Sequence, residues 1–231
     1  MEQLPAPIEL TAPQARVLGS LIEKQATTPD AYPMTLNALT TACNQSSNRD
    51  PVVQYEAQLV ETTVLALKAK GLARVVHPGS GERATKYRHV ADEALGLGPA
   101  ERAIVGVLLL RGPQTVNELK VRTERLHGFD GTAAVEVVLE QLSRADPPLV
   151  AQVERQPGQK EPRWIDLLQA NPEERAAASA TSGAVTPSSR GAGRVDELEA
   201  RVDALERRLA QLVAALGDLV DLADDPADQQ P

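Results

Sequence analysis

The sequence predicts a mainly helical chain with small β-hairpins, an α+β fold, and three observations carry that reading. Leu10, Val17, Leu18, Gly19 and Leu21 recur as Leu97, Ile104, Val105, Gly106 and Leu108, a constant step of 87 residues. Thr35-Leu36-Asn37-Ala38-Leu39 returns as Thr115-Val116-Asn117-Glu118-Leu119, and Pro78-Gly79 returns as Pro157-Gly158. Each copy runs helix, short helix, long helix, then two β-like segments about a Pro-Gly turn, closing on Tyr87 or Trp164. That order is the winged-helix plan, met twice, and a leucine heptad beyond it adds a C-terminal coiled-coil helix. The chain then divides into a flexible N-terminus (1–9), winged-helix domain 1 (10–94), winged-helix domain 2 (95–169), a disordered linker (170–193), a coiled-coil helix (194–222) and a disordered acidic tail (223–231).

In the first copy, Thr11 precedes Ala15, Leu18, Leu21 and Ile22 at helical spacing, which predicts a helix to about Gln25. Pro29 and Pro33 lack amide donors and force their predecessors towards extended geometry, so Thr27 to Met34 is a loop. Thr35 is placed to cap a second helix whose face holds Leu36, Leu39 and Cys43, which makes Cys43 a small buried residue. The polar run from Asn44 to Pro51 has two readings: a self-bonded connector, or a loop presenting Asn44, Gln45, Asn48 and Arg49 to phosphate or a partner. Helix three, from about Glu56 to Lys70, buries Val60, Val64 and Leu67 and stops at Gly71. A hairpin follows, Leu72 to Val76 and Ala84 to Val90, made basic by Arg83, Lys86, Arg88 and His89. Those bases either contact a polyanion or simply solvate an edge strand.

In the second copy the helices span about Pro99–Leu110, Val116–Arg125 and Thr132–Arg144, with Thr132 able to cap the third. That helix buries Val135, Val138, Leu139 and Leu142 and turns Ala134, Glu136, Val137, Glu140 and Gln141 outward. The hairpin, Leu149 to Val153 and Pro162 to Leu167, carries Arg155, Lys160 and Arg163, and Trp164 is expected in the core.

Beyond it, Ala, Ser, Thr, Pro and Gly dominate from Ala170 to Gly193, the composition of a tether. Val195, Leu198, Val202, Leu205, Leu209, Leu212, Leu216 and Leu219 then step by three and four, a seam of about 40 Å at helical rise. Arg194 and Arg201 at g face Glu199 and Glu206 at e in a parallel partner, so a parallel homodimer is expected. Docking of the seam onto its own chain is the alternative.

The formal charge is −8 for 231 residues. It divides as about −1 for 1–94, −1 for 95–170 and −6 for the remainder, so neither copy has the basic excess of a free duplex-binding domain. With aromatic content of 2%, the cores must be aliphatic. One cysteine and three scattered histidines lack metal-ligand spacing, so neither metal nor cofactor is expected. An acidic, proline-broken N-terminus and the lack of a long apolar run predict a cytoplasmic chain away from membranes.

The run from Glu23-Lys24-Gln25-Ala26-Thr27-Thr28-Pro29-Asp30-Ala31-Tyr32-Pro33-Met34, through Ala42-Cys43-Asn44-Gln45 to Asn48-Arg49-Asp50-Pro51-Val52, closely resembles the YceH family of bacteria. The similarity extends over about residues 10–168 and includes Leu108-Leu109-Leu110-Arg111-Gly112. It implies a tandem winged-helix fold and brings no catalytic or ligand-binding residues with it. Ser46 stands where family members commonly carry lysine after the Asn-Gln pair, which removes a base from the connector.

Two functions are compatible with these residues. The first is a non-enzymatic, DNA-associated or regulatory dimer touching duplex DNA through Arg83, Lys86, Arg88, Arg155, Lys160 and Arg163, with Asn48 and Arg49 nearby. The alternative is an acidic protein-interaction scaffold, similar to the winged-helix subunits of chromosome-condensation complexes, which holds a protein partner on Ala134, Val137 and Gln141. Among the motifs, no Ser-His-Asp order, phosphate-cradling glycine loop or paired carboxylates point to an enzyme.

Overall fold

Thr11 opens the first helix with a reciprocal cap: its hydroxyl accepts from the Gln14 amide, and the Gln14 side chain accepts from the Thr11 amide. In the computed structural model, which describes residues 8–77, 84–155 and 159–183, this helix is α1, Ala12–Thr27. Among the described residues the fold is mainly helical with two small antiparallel sheets.

After α1 the two prolines behave as expected, with Pro29–Ala31 a short 3-10 turn. The loop also supplies a strand the sequence did not announce, β1 (Met34–Thr35), before Thr35 caps α2 (Leu36–Cys43) through the Ala38 amide. Helix α3 covers Ala57–Ala69, and Gly71 behind it takes φ +75, the left-handed region that glycine enters without a Cβ penalty. Strands β2 (Ala73–Val76) and β3 (Lys86–His89) form the hairpin, and β1 joins β3 on its other edge by pairing Met34 with Tyr87. A single-turn helix, α4 (Ala91–Leu95), closes the first copy.

The second copy repeats this order with α5 (Pro99–Arg111), α6 (Val116–Thr123), α7 (Thr132–Ser143), β4 (Val150–Val153) and β5 (Arg163–Asp166). Thr115 and Glu118 form the capping box of α6. Helix α7 starts from Gly131, and the Thr132 hydroxyl makes no cap, contrary to expectation. The bridge between Gln114 and Trp164, with amide-to-carbonyl distances of 2.9 and 2.7 Å, stands where Met34 and Tyr87 pair in the first copy. The first-copy loop is longer because it also holds the 3-10 turn.

The copies share one core. Helices α1 and α5 pack along each other at equivalent glycines: a Cβ on Gly19 would stand 2.8 Å from Leu110 Cγ and 3.2 Å from Leu109 Cβ, and one on Gly106 would stand 2.7 Å from Ile22 Cγ2. Ile22 and Leu109 are themselves one repeat step apart, so each helix offers its glycine to the other's matching aliphatic residue. The two sequence segments 10–94 and 95–169 are therefore halves of one compact unit, which extends to Ser182.

Its last element corrects the tether reading. Pro172–Gly183 is a helix, α8, with proline in its first turn and Glu173 and Glu174 beside the positive end of its dipole. Arg175 fixes it to the body by an ion pair with the fully buried Asp166. The heptad residues Val195, Leu198, Val202, Leu205, Leu209, Leu212, Leu216 and Leu219 lie outside the described residues, as does Arg83.

Candidate functional site

The polar connector between α2 and α3 is folded inward. Asn44 donates its amide to the Tyr55 carbonyl at 2.8 Å and accepts from the Tyr55 amide at 2.7 Å, bonding the two ends of the loop. Arg49 is buried, with Nη2 2.6 Å from Glu23 Oε2 and Nη1 3.2 Å from Oε1. Its other hydrogen bonds go to the Ala42 and Asn48 carbonyls and the Gln45 side chain. Burial alone would raise the Glu23 pKa, but the Arg49 hydrogen bonds and charge outweigh it and hold it below the ordinary carboxylate value. Arg49 is thus corrected from a phosphate contact to an internal cation with its charge already matched. Asn48 stays exposed in a left-handed turn and accepts from the Arg111 guanidinium.

The hairpin bases divide in the same way. Arg163 is half-buried, donating to Glu118 at 2.7 Å and to the Pro113 carbonyl at 2.9 Å, so it ties β5 to the start of α6. Arg88 lies 3.9 Å from Glu93, and Lys86 is half-buried on the same strand. His89 is not part of a solvated basic edge: its side chain is 0% exposed, Nε2 meets Gln25 Oε1 at 2.7 Å, and Nδ1 accepts from the Ala91 amide. Burial lowers its pKa to about 4, against the pull of Asp92, so near neutral pH it carries no charge. Arg155 and Lys160 are exposed and make no ion pair among the described residues.

The third helix of each copy presents a different surface. On α7, Val137 is 56% exposed between exposed Glu136, Glu140 and Gln141, while Ala134 is half-buried against the core. Glu56 at the N-cap of α3, and Leu59, Glu61 and Leu65 on it, are all exposed. In the major groove such helices would bring carboxylates towards phosphates. Cys43 is fully buried, and burial pushes its thiol up, away from the reactive thiolate.

Two guanidinium groups escaped the sequence reading. Arg16 on α1 and Arg111 at the end of α5 both line one cavity, and neither joins a carboxylate in an ion pair among the described residues. Their helical positions read as core-facing and C-terminal, so nothing in the spacing marked them. Among the described residues no cluster of His, Cys, Asp or Glu is arranged for a metal, and no helix is long and apolar enough to cross a membrane.

A mainly helical protein of two like halves, with hairpins and third helices left on its surface, is the class these features define. The chain belongs to the DUF480 family, also called UPF0502 and YceH-like, described as proteins of unknown function; the family pattern matches residues 10–159. It is 51% identical to a UPF0502 protein of Geobacter sulfurreducens over 160 residues, 69% of this chain and 72% of that protein. A UPF0502 protein of Burkholderia pseudomallei is 44% identical over 188 residues, 80% and 79% of the two chains.

Proposed function

We propose that this chain is a non-enzymatic tandem winged-helix protein that acts as an interaction scaffold, holding a protein partner on the outward face of α7. The exposed Val137, set among Glu136, Glu140 and Gln141, is the observation that carries the reading. An apolar side chain rimmed by acids favours a partner segment that brings aliphatic groups and compensating lysine or arginine, and it repels a polyanion. The inward use of Arg49 and Arg163 removes two of the bases on which duplex binding would have drawn. A parallel homodimer through residues 194–222 completes the proposal, since pairing two scaffolds multiplies weak contacts through effective concentration.

A second reading, duplex DNA held by the hairpins, is favoured by the exposure of Arg155 and Lys160. The two separate in one experiment. Affinity capture from the source cells is run with the wild-type chain, Val137→Glu, and the Arg155→Glu/Lys160→Glu pair, beside an anisotropy titration with duplex DNA at low salt. The scaffold predicts a captured protein lost only with Val137→Glu and no salt-sensitive duplex binding. Duplex binding abolished by the charge reversal, with capture indifferent to Val137, overturns it.

A further inference from the structure

The structure holds a cavity of about 370 Å³ where α1, the 50–55 connector, the end of α5 and α8 meet. That size lies in the range of small-molecule sites, roughly 300–1,000 Å³. Arg16, 4% exposed, forms part of its wall. Of its five N–H donors, one on Nη1 reaches the Cys43 carbonyl at 3.2 Å and one on Nη2 reaches the Pro51 carbonyl at 2.6 Å, and Nε is buried without a partner. A guanidinium this deep is costly unless an anion neutralises it, and two carbonyl dipoles do so only in part.

Arg111 lines the same cavity, and its one hydrogen bond among the described residues goes to the neutral Asn48. A third lining cation, Arg175, is already matched by Asp166, and the exposed Asp50 offsets one of the other two charges. One positive charge is left over. Val53, Leu109 and Ala178 supply an apolar wall facing the same space.

We propose that this cavity binds a small organic monoanion, a carboxylate carried on a compact apolar body. The carboxylate takes the free donors of Arg111 and Arg16, and the body packs on Val53, Leu109 and Ala178. Carboxylate accepts a planar guanidinium fork in bidentate fashion, which a neutral ligand cannot. Burial and the charge of Arg49 hold the Arg16 pKa below its ordinary value, and burial, Arg122 and Arg49 do the same at Arg111, so both sites gain from a bound anion. Because α8 contributes Ala178 and Ser179, an occupant also fastens that helix to the body. Occupancy of this cavity does not depend on what the third helices hold.

Calorimetric titration of the full chain with benzoate and with octanoate tests it, with benzyl alcohol and inorganic phosphate as controls. Saturable binding of either carboxylate is expected, with neither control competing and with slower hydrogen exchange across 172–183. Arg111→Gln should weaken that binding by about tenfold or more. Ser179→Leu, which fills the cavity without removing a cation, should abolish it. Should Arg111→Gln fail to fold, the Ser179→Leu variant decides alone. Equal binding of benzyl alcohol, equal binding of phosphate, unchanged affinity in the variants, or no binding of either carboxylate at millimolar concentration overturns the proposal.

Discussion

Arg49 and Glu23, 26 residues apart in sequence, meet as a largely buried, two-pronged ion pair, with the guanidinium also bonded to the Ala42 carbonyl. The pair fastens the connector after α2 to the middle of the core, and without Arg49 the largely buried Glu23 keeps only Lys24, at 3.4 Å, as a charged partner. Arg49→Ala is expected to cost about 3 kcal/mol in urea unfolding, the low end for a broken buried pair because Lys24 stays beside Glu23. The double replacement Glu23→Leu/Arg49→Leu should cost clearly less than the two single losses added together. Additive losses would show that the charges do not depend on each other.

The equivalent glycines of α1 and α5 make a paired prediction. Alanine at a helical glycine gains about 1 kcal/mol in propensity, but the added methyl must find room. At Gly19 it meets the branch point of Leu110 and the Cβ of Leu109 together; at Gly106 it meets one methyl of Ile22 and little else within 3.4 Å. Gly19→Ala should therefore lose about 1–3 kcal/mol in thermal unfolding. Gly106→Ala should lose less, and a stabilised Gly19→Ala would contradict the close packing.

His89 predicts a pH dependence with a definite sign. Its folded pKa of about 4 lies below the ordinary imidazole value of 6.5, so between these values the unfolded chain binds more protons and stability falls as the pH falls. Between pH 7 and pH 5 this group alone withdraws about 2 kcal/mol. Wild-type protein should lose that much more over this interval than His89→Gln, as read from denaturant midpoints. Parallel curves would refute a buried neutral imidazole.

Helix α8 redraws the truncation that best isolates the tail. Cutting after Gln169 strips Arg175 from the buried Asp166 and should destabilise the body by about 2 kcal/mol, Arg175 being partly exposed. Cutting after Gly183 leaves that ion pair intact and should leave unfolding unchanged. Sedimentation of this longer fragment as a monomer beside a dimeric full chain would assign self-association to residues 184–231.

Much of this architecture was legible because it follows from apolar spacing. Leu18, Leu21 and Ile22, or Val135, Leu139 and Leu142, can face a core in only one way, and Thr11, Thr35 and Thr115 announce helix starts by the amides they accept from. Charged partners were not legible. Nothing near Arg49 in sequence announces Glu23, and Arg163 looks like any strand base until Glu118 is seen beside it. Composition also misled: the Ala-rich stretch after Ala170 lacks large apolar residues, yet it buries Ala176, and its Asn171-Pro172-Glu173-Glu174 start was a helix signal in plain view. Exposure at Val137, Arg155 and Lys160 was predictable from periodicity, whereas the incompletely matched Arg16 becomes visible only when its hydrogen bonds are traced.

The seam at Gly19 and Gly106 repeats a self-complementary contact within a single polypeptide, the geometry by which two identical subunits bind across a two-fold axis. A gene opened near Gly96 should consequently yield fragments that find each other on co-expression. Either fragment produced alone should turn to its own sibling, because the surface it lost closely matches the one it still carries.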